Sequence, residues 1–233
     1  RDESILDMEA AGLGDQKECL LKYKNNSYLP VVSINGKNGG GKSNLIRAMW
    51  LAAQFIKNAQ RTQHETAEVP VRPFELNDYS KNEPTSFEFE YEEEGIWYCY
   101  GFSATRKCIC EEHLYWAPKG QKSVVVDRKY QDFSFPVNGD KKIKEMISKA
   151  VAPNQLFFAV SCTMNYEPCI EAMKWFRTKL FFSRDYSDLG KNLLEYSDDS
   201  EMLKSVASIA KIADIGISDM KFEIDNKAIT IPN

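Results

Sequence analysis

Between Asn35 and Ser43 the chain places four glycines, two lysines and a serine in nine positions: Asn35-Gly36-Lys37-Asn38-Gly39-Gly40-Gly41-Lys42-Ser43. Gly36-x-x-x-x-Gly41-Lys42-Ser43 fits the phosphate-binding loop pattern at every fixed position. The physics explains the spelling. A loop that wraps a phosphate brings successive backbone N–H groups close to it, and side chains would block that approach. Glycine also permits the positive φ values that such a nest needs. A helix starting near Lys42 aims its free N–H groups and its positive dipole end at the anion. The Lys42 ammonium reaches the β- and γ-phosphates, and the Ser43 hydroxyl takes one site on Mg²⁺.

This motif needs a strand before it and a helix after it. The run Tyr28-Leu29-Pro30-Val31-Val32-Ser33-Ile34 is apolar and β-branched and predicts a buried strand. From Ser43 to about Lys57, Leu45, Met49, Ala52, Ala53 and Ile56 fall on one helical face. The candidate binding residues are therefore Gly36, Lys37, Asn38, Gly39, Gly40, Gly41, Lys42, Ser43 and Asn44. Lys42 is the catalytic cation and Ser43 the metal ligand. ATP and Mg²⁺ are the expected cofactors.

The rest of the chain is read around this loop. Residues 58–85 are polar, carry Pro70, Pro73 and Pro84, and predict a surface excursion. Residues 86–136 alternate with period two. Phe87, Phe89 and Tyr91 form one face, and Ile96, Tyr98, Tyr100 and Phe102 another. Further strands are expected from Cys108 to Trp116, from Lys122 to Lys129 and from Asp132 to Phe135. Short turns at Glu93-Glu94-Gly95, Thr105-Arg106-Lys107 and Pro118-Lys119-Gly120 imply antiparallel pairing.

From 137 to 233 the pattern is helices with strands. Asp140 to Val151 reads as a helix and Gln155 to Ser161 as a strand. Pro168 opens a helix with the face Ile170, Met173, Phe176 and Leu180. Asp198 with Glu201 resembles a capping box ahead of a helix carrying Leu203, Val206, Ala210 and Ala213. Met220 to Ile224 and Ala228 to Ile231 predict a terminal hairpin.

Composition narrows the partners. The chain has 233 residues and a net charge of −4, so no global basic field draws it onto nucleic acid. Local basic clusters remain at Lys119 with Lys122, Arg128 with Lys129, and Lys141, Lys142 and Lys144. The last reads as a solvated helix face. The meander aromatics read as core rather than base-stacking platforms. No apolar run approaches the ~18–20 residues of a membrane span. The six cysteines are irregularly spaced and follow no signal-like start, which predicts reduced thiols in a cytoplasmic protein. Cys108-Ile109-Cys110 has no second pair for zinc, and His64 and His113 leave little for a metal cluster. His64 reads as a loop residue and His113 as a strand side chain. The chain opens on Arg1 rather than Met, as a fragment or processed product does.

Other nucleotide-enzyme parts are sparse. Val124-Val125-Val126-Asp127 is the nearest string to a Walker B segment, but Arg128 follows and Asp127 reads as a strand-end residue. Ser187-Asp188-Leu189-Gly190 is a poor echo of a signature motif. No D-x-x-G or N-K-x-D motif follows, which argues against a GTPase. The long meander fits poorly with a small parallel-sheet kinase.

The loop, the meander and the later helices resemble the ABC-type ATPase head of SMC-like and overcoming-lysogenization-defect-like proteins. Within that group they are most similar to prokaryotic phage-defence ATPases of the abortive-infection, Septu and retron-associated types. The resembling stretches are Leu29–Trp50, Val71–Leu76, Phe87–Tyr115, Asn154–Val160, Trp175–Lys179 and Ala213–Ser218. The resemblance implies an α/β P-loop NTPase head whose first lobe combines a mixed sheet, an antiparallel meander and flanking helices. Residues 1–233 would then be the N-terminal part of one such domain. A second lobe with signature, Walker B and hydrolytic Glu would be absent, so the chain alone would be inactive. The resemblance further implies a homodimer or higher oligomer with ATP sandwiched between heads, and a separate effector such as a nuclease. Nucleic acid enters by analogy only. A Gln is expected near the end of the Gln155–Ser161 stretch, where it would sense Mg²⁺. Ser161-Cys162-Thr163-Met164-Asn165 contains none, and Gln155 lies earlier. A nucleotide-gated scaffold with little turnover is the alternative.

Overall fold

The computed structural model describes residues 4–10, 17–62, 67–73, 80, 83–136, 140–183 and 200–212. The chain divides into two compact units, residues 1–180 and 181–233. His64, residues 74–76 of the Val71–Leu76 stretch, Ser187–Gly190, Asp198, Ala213–Ser218 and both strands of the expected terminal hairpin lie outside the described residues.

In the first unit, a small hairpin pairs β1 (Leu21–Tyr23) with β2 (Asn26–Tyr28), antiparallel. Helix α1 spans Lys42–Thr62. The main sheet follows in chain order: β3 (Thr85–Glu93), β4 (Ile96–Ala104), β5 (Ile109–Trp116), β6 (Ser123–Lys129) and β7 (Asp132–Ser134). Its spatial order is also β3-β4-β5-β6-β7, antiparallel throughout. This is the meander that the period-two pattern predicts. The β3–β4 turn shows why the register holds. Glu94 and Gly95 both have positive φ, 52° and 79°, as the tightest hairpin turn requires. Among the described residues both sheets are antiparallel, and the parallel strands of a mixed sheet are not seen.

The inner face of the sheet carries Phe87, Tyr91, Tyr98, Tyr100, Phe102, Leu114 and Val126. Ala52, Phe55, Ile56 and Ala59 of α1 join the same core, with the Phe55 ring 5.6 Å from that of Phe102. Helices α2 (Lys141–Ser148), α3 (Phe157–Thr163) and α4 (Glu167–Thr178) complete the layer. The Tyr100 and Phe158 rings lie 4.4 Å apart, and Phe89 meets Phe176 edge-on at 5.3 Å. Each such buried aromatic contributes roughly 1.5–3 kcal/mol of transfer free energy. Tyr91 donates its hydroxyl to the Ala172 carbonyl at 2.9 Å, which ties β3 to α4. In the second unit the described element is α5, Ser200–Ile212.

Four expectations are corrected. Helix α1 runs on through Thr62, and Val69 and Val71 beyond it are buried in the core, so the 58–85 segment is not all surface excursion. Leu29–Ile34 is not a strand, and Val31 is 78% exposed. An apolar β-branched run becomes a strand only beside a partner that takes its backbone groups, and no described strand lies there. Lys144 is buried, with its ammonium 5.7 Å from the Phe135 ring, so the lysine cluster on α2 is not simply a solvated face.

The fourth correction concerns Gln155–Ser161, which runs from the turn at Gln155 into helix α3 (Phe157–Thr163) rather than forming a strand. The cause comes from 45 residues upstream. The Glu112 carboxylate of β5 accepts the backbone N–H groups of Phe157 and Phe158 at 2.8 and 2.9 Å. These are donors that the first turn of a helix cannot satisfy internally. Arg128 of β6 donates to Glu112 at 3.2 Å, to the Gln155 carbonyl at 2.6 Å and to the Tyr130 carbonyl at 2.5 Å. Tyr100 adds a hydroxyl donor to Glu112 at 3.1 Å. A buried ion pair therefore prepares both sides of the α3 entrance.

Candidate functional site

Residues 36–44 lie on the surface as a loop that turns into α1 at Lys42. Gly39 and Gly41 have φ of +78° and +93°, values that L side chains rarely adopt. The Gly40 N–H donates to the Lys37 carbonyl at 3.1 Å and closes the turn. The Gly41 carbonyl accepts from Asn44 N at 2.9 Å and Leu45 N at 3.1 Å, which starts the helix. The N–H groups of Lys42 and Ser43 then belong to the orphan donors of the first helical turn. No acidic residue occupies that turn, so the helix carries no carboxylate of its own at its positive end.

Lys42 folds back over the loop. Its ammonium donates to the Gly36 carbonyl at 2.6 Å and to the Lys37 carbonyl at 2.9 Å. An ammonium has three donors, so these two bonds leave a third for an incoming anion. Lys37, Asn38, Ser43 and Asn44 are exposed around it.

The other sequence candidates sit elsewhere. Asp127 lies exposed on β6 and accepts the Tyr115 hydroxyl at 3.2 Å, the role of an ordinary sheet residue. The Gln155 side-chain oxygen accepts the Ala152 N–H at 3.0 Å. Phe87, Tyr98 and Tyr100 belong to the core cluster or pack against it. All six cysteines are free thiols.

One cluster escaped the sequence reading. On the outer face of the sheet, ligand-type atoms of Glu88, Cys99 and His113 lie within 4.8 Å of one another. The signal available in the sequence was Gly101, a glycine inside an otherwise regular alternating strand. Burial, with Glu88 and Glu90 nearby, pushes the Cys99 thiol up to about 12.

A glycine-rich loop feeding the start of a long helix, backed by a sheet-and-helix core, defines a P-loop nucleotide-binding domain. Residues 31–230 match the sequence profile of the family described as "AAA domain, putative AbiEii toxin, Type IV TA system", and the chain belongs to that family. It is therefore an AAA-type, P-loop ATPase domain. Comparison with curated proteins and with solved structures returns no match. Among the described residues no helix is long and apolar enough to cross a membrane.

Proposed function

We propose that this chain is the ATP-binding head of an ABC-type, SMC-like defence ATPase. It binds Mg-ATP through Gly36–Asn44, pairs with a second head around the nucleotide, and controls a separate effector in the cytoplasm. The observation that carries this reading is the arrangement of Lys42. Its ammonium sits over a loop whose glycines Gly39 and Gly41 hold left-handed φ values, at the mouth of a helix with no acidic residue in its first turn. Phosphate supplies the charge that all three features lack. Ser43 would take one position on Mg²⁺, and catalysis would be positioning plus charge neutralisation. The description of its family, an AAA domain of a toxin–antitoxin system, supports a role in controlling growth or defence.

The test is Mg-ATP binding and turnover by the full-length protein, wild type against Lys42→Ala, with mass measured in parallel. Binding, turnover and nucleotide-dependent assembly are expected, and Lys42→Ala should lose most binding. Equal binding by the variant would refute the loop assignment.

A second reading, a nucleotide-gated scaffold with little turnover, has one observation in its favour. The Gln155 carboxamide oxygen is engaged by Ala152, and the Gln155 backbone carbonyl by Arg128. Tight binding without single-turnover hydrolysis would select this reading.

A further inference from the structure

The outer face of the sheet carries chemistry unrelated to the phosphate loop. In the register of β3, β4 and β5, Glu88 stands opposite Gly101, and Gly101 opposite His113. Cys99 lies two residues along β4 from Gly101, so its side chain shares that face. Gly101 is what lets the three converge. A Cβ placed there would lie 2.5 Å from His113 Cε1 and 2.7 Å from Nε2. The imidazole lies down across β4 in the space where any other residue would have a side chain. The Tyr115 ring, stacked on it at 4.9 Å and 15°, holds it from the other side.

Laid flat, the ring presents Nε2 to two partners at once. Glu88 Oε2 is 3.0 Å away and Cys99 Sγ is 3.9 Å away. A Cys–His–carboxylate relay would use the two ring nitrogens separately, one toward the thiol and one toward the acid. Here sulfur, carboxylate and imidazole converge through a single nitrogen. That is the arrangement of ligands around a shared centre. With metal–ligand bonds of about 2.0–2.3 Å, the donor atoms of a tetrahedral zinc site stand roughly 3.3–3.6 Å apart. The two separations fall on either side of that range, one shorter and one longer, and all three donor atoms lie within 4.8 Å of one another, so shifts of a few tenths of an ångström up to about 1 Å bring them onto one ion.

We propose that Glu88, Cys99 and His113 form a three-ligand site for a zinc-like divalent transition metal, with the fourth position open to water. The donor set is one thiolate, one imidazole and one carboxylate, which suits tetrahedral Zn²⁺ and excludes Mg²⁺ or Ca²⁺ as the preferred ion. On binding, the Cys99 S–H bond breaks, the sulfur pair goes to the metal and the proton leaves to solvent. The thiolate and carboxylate then balance the dication. The ligands stand on three adjacent strands, which keeps the site rigid and lets the metal clamp the first three strands of the sheet. Cys99 is 6% exposed, whereas the Glu88 side chain is 61% exposed, so the site opens toward solvent on the glutamate side. Glu90 stands directly opposite Cys99 in the β3–β4 register and accepts the Trp97 indole N–H at 2.6 Å, so a second carboxylate borders the site.

The experiment uses the full, reduced protein without nucleotide. Zn²⁺ binding is titrated against a chromophoric chelator, and Co²⁺ is substituted to report the sulfur ligand through its thiolate charge-transfer band. The expected result is one tight site per chain, a Co²⁺ spectrum with a thiolate band, and a rise in melting temperature with added zinc. Cys99→Ser should abolish the band. His113→Ala and Glu88→Gln should each weaken Zn²⁺ by about 100-fold or more, at least the cost of losing an outer-sphere partner. Glu88 is exposed, so Glu88→Gln leaves the fold intact and keeps the test valid if a core-facing variant misfolds. Absence of stoichiometric binding by the wild type would overturn the proposal. So would a Co²⁺ thiolate band that survives Cys99→Ser, which would assign the metal to another cysteine.

Discussion

The Glu112 carboxylate lies 3.2 Å from the Arg128 guanidinium, and neither side chain is exposed at all. The pair does more than satisfy itself. Glu112 receives the first two amides of α3, and Arg128 holds the carbonyl of the loop that leads into it. Removing one partner leaves the other charge buried and the helix entrance unsatisfied. Glu112→Ala should therefore cost about 3–5 kcal/mol, read as a shift of the urea midpoint. A cost below about 1 kcal/mol would mean that the hub is not structural.

Gly41 has φ of +93° and its missing Cβ would touch nothing within 4 Å. The penalty for Gly41→Ala is therefore backbone strain rather than a clash, about 1–2 kcal/mol. If the loop relaxes by changing shape, the cost appears in binding instead. ATP affinity should fall about tenfold or more, with little change in global stability. Calorimetric titration with Mg-ATP, beside a thermal melt, reads both.

Gly101→Ala tests the outer-face cluster from a residue that carries no donor. Strand glycines are normally improved by alanine, but here the new Cβ overlaps the His113 ring. The substitution should destabilise by about 1–3 kcal/mol and abolish zinc binding with all three ligands still present. A stabilised variant with an intact site would show that the ring does not lie where the structure puts it.

The thiols should fall into classes. Cys19 is exposed, whereas burial pushes Cys162 up to about 12 and Cys169 well above its ordinary value. The thiolate is the reactive form, so neither the half-buried Cys162 nor the buried Cys169 offers a useful fraction of it at neutral pH. A thiol-disulfide reagent should modify Cys19 rapidly and reach Cys162 and Cys169 only after unfolding. Cys19→Ser should remove the fastest phase, leaving the half-exposed Cys108 as the next thiol to react. A fast phase that persists at full amplitude would contradict the burial.

Alkaline pH should unfold the first unit. Burial raises the Tyr91 and Tyr166 hydroxyls above their ordinary value of 10. A group whose folded-state pKa is raised stabilises fully below its unfolded value and loses that contribution as pH rises through the folded value. Between those two values the unfolded state releases the proton first. Stability should therefore be flat up to about pH 10 and decline above it, with tyrosinate absorbance rising together with loss of helix. Early, non-cooperative tyrosine ionisation in a folded chain would count against it.

Where the pattern was local, it was legible. The five strands from Thr85 to Ser134 follow alternation and turn residues, and each strand pairs with its neighbour in sequence. The helix after the glycine-rich loop follows its apolar spacing, though it extends five residues past Lys57. Where the outcome depended on a distant partner, the reading failed. Gln155–Ser161 is apolar enough for a strand, but the Glu112 carboxylate takes the first amides of a helix there, a partner 45 residues away. Val31–Ile34 has strand composition, but the described structure puts no strand beside it.

The amino-acid sequence by itself determined the loop Gly36–Ser43, because glycine spacing, a lysine and a hydroxyl are written in consecutive residues. It also determined the meander, because side-chain alternation and turn chemistry act within a few positions. Tertiary structure alone decided that Glu112 and Arg128 meet at the entrance to α3, and that Glu88, Cys99 and His113 share one point on the sheet. Both depend on cross-strand register, which joins residues a dozen or more positions apart. A single missing Cβ at Gly101 then supplies the space in which the second convergence occurs.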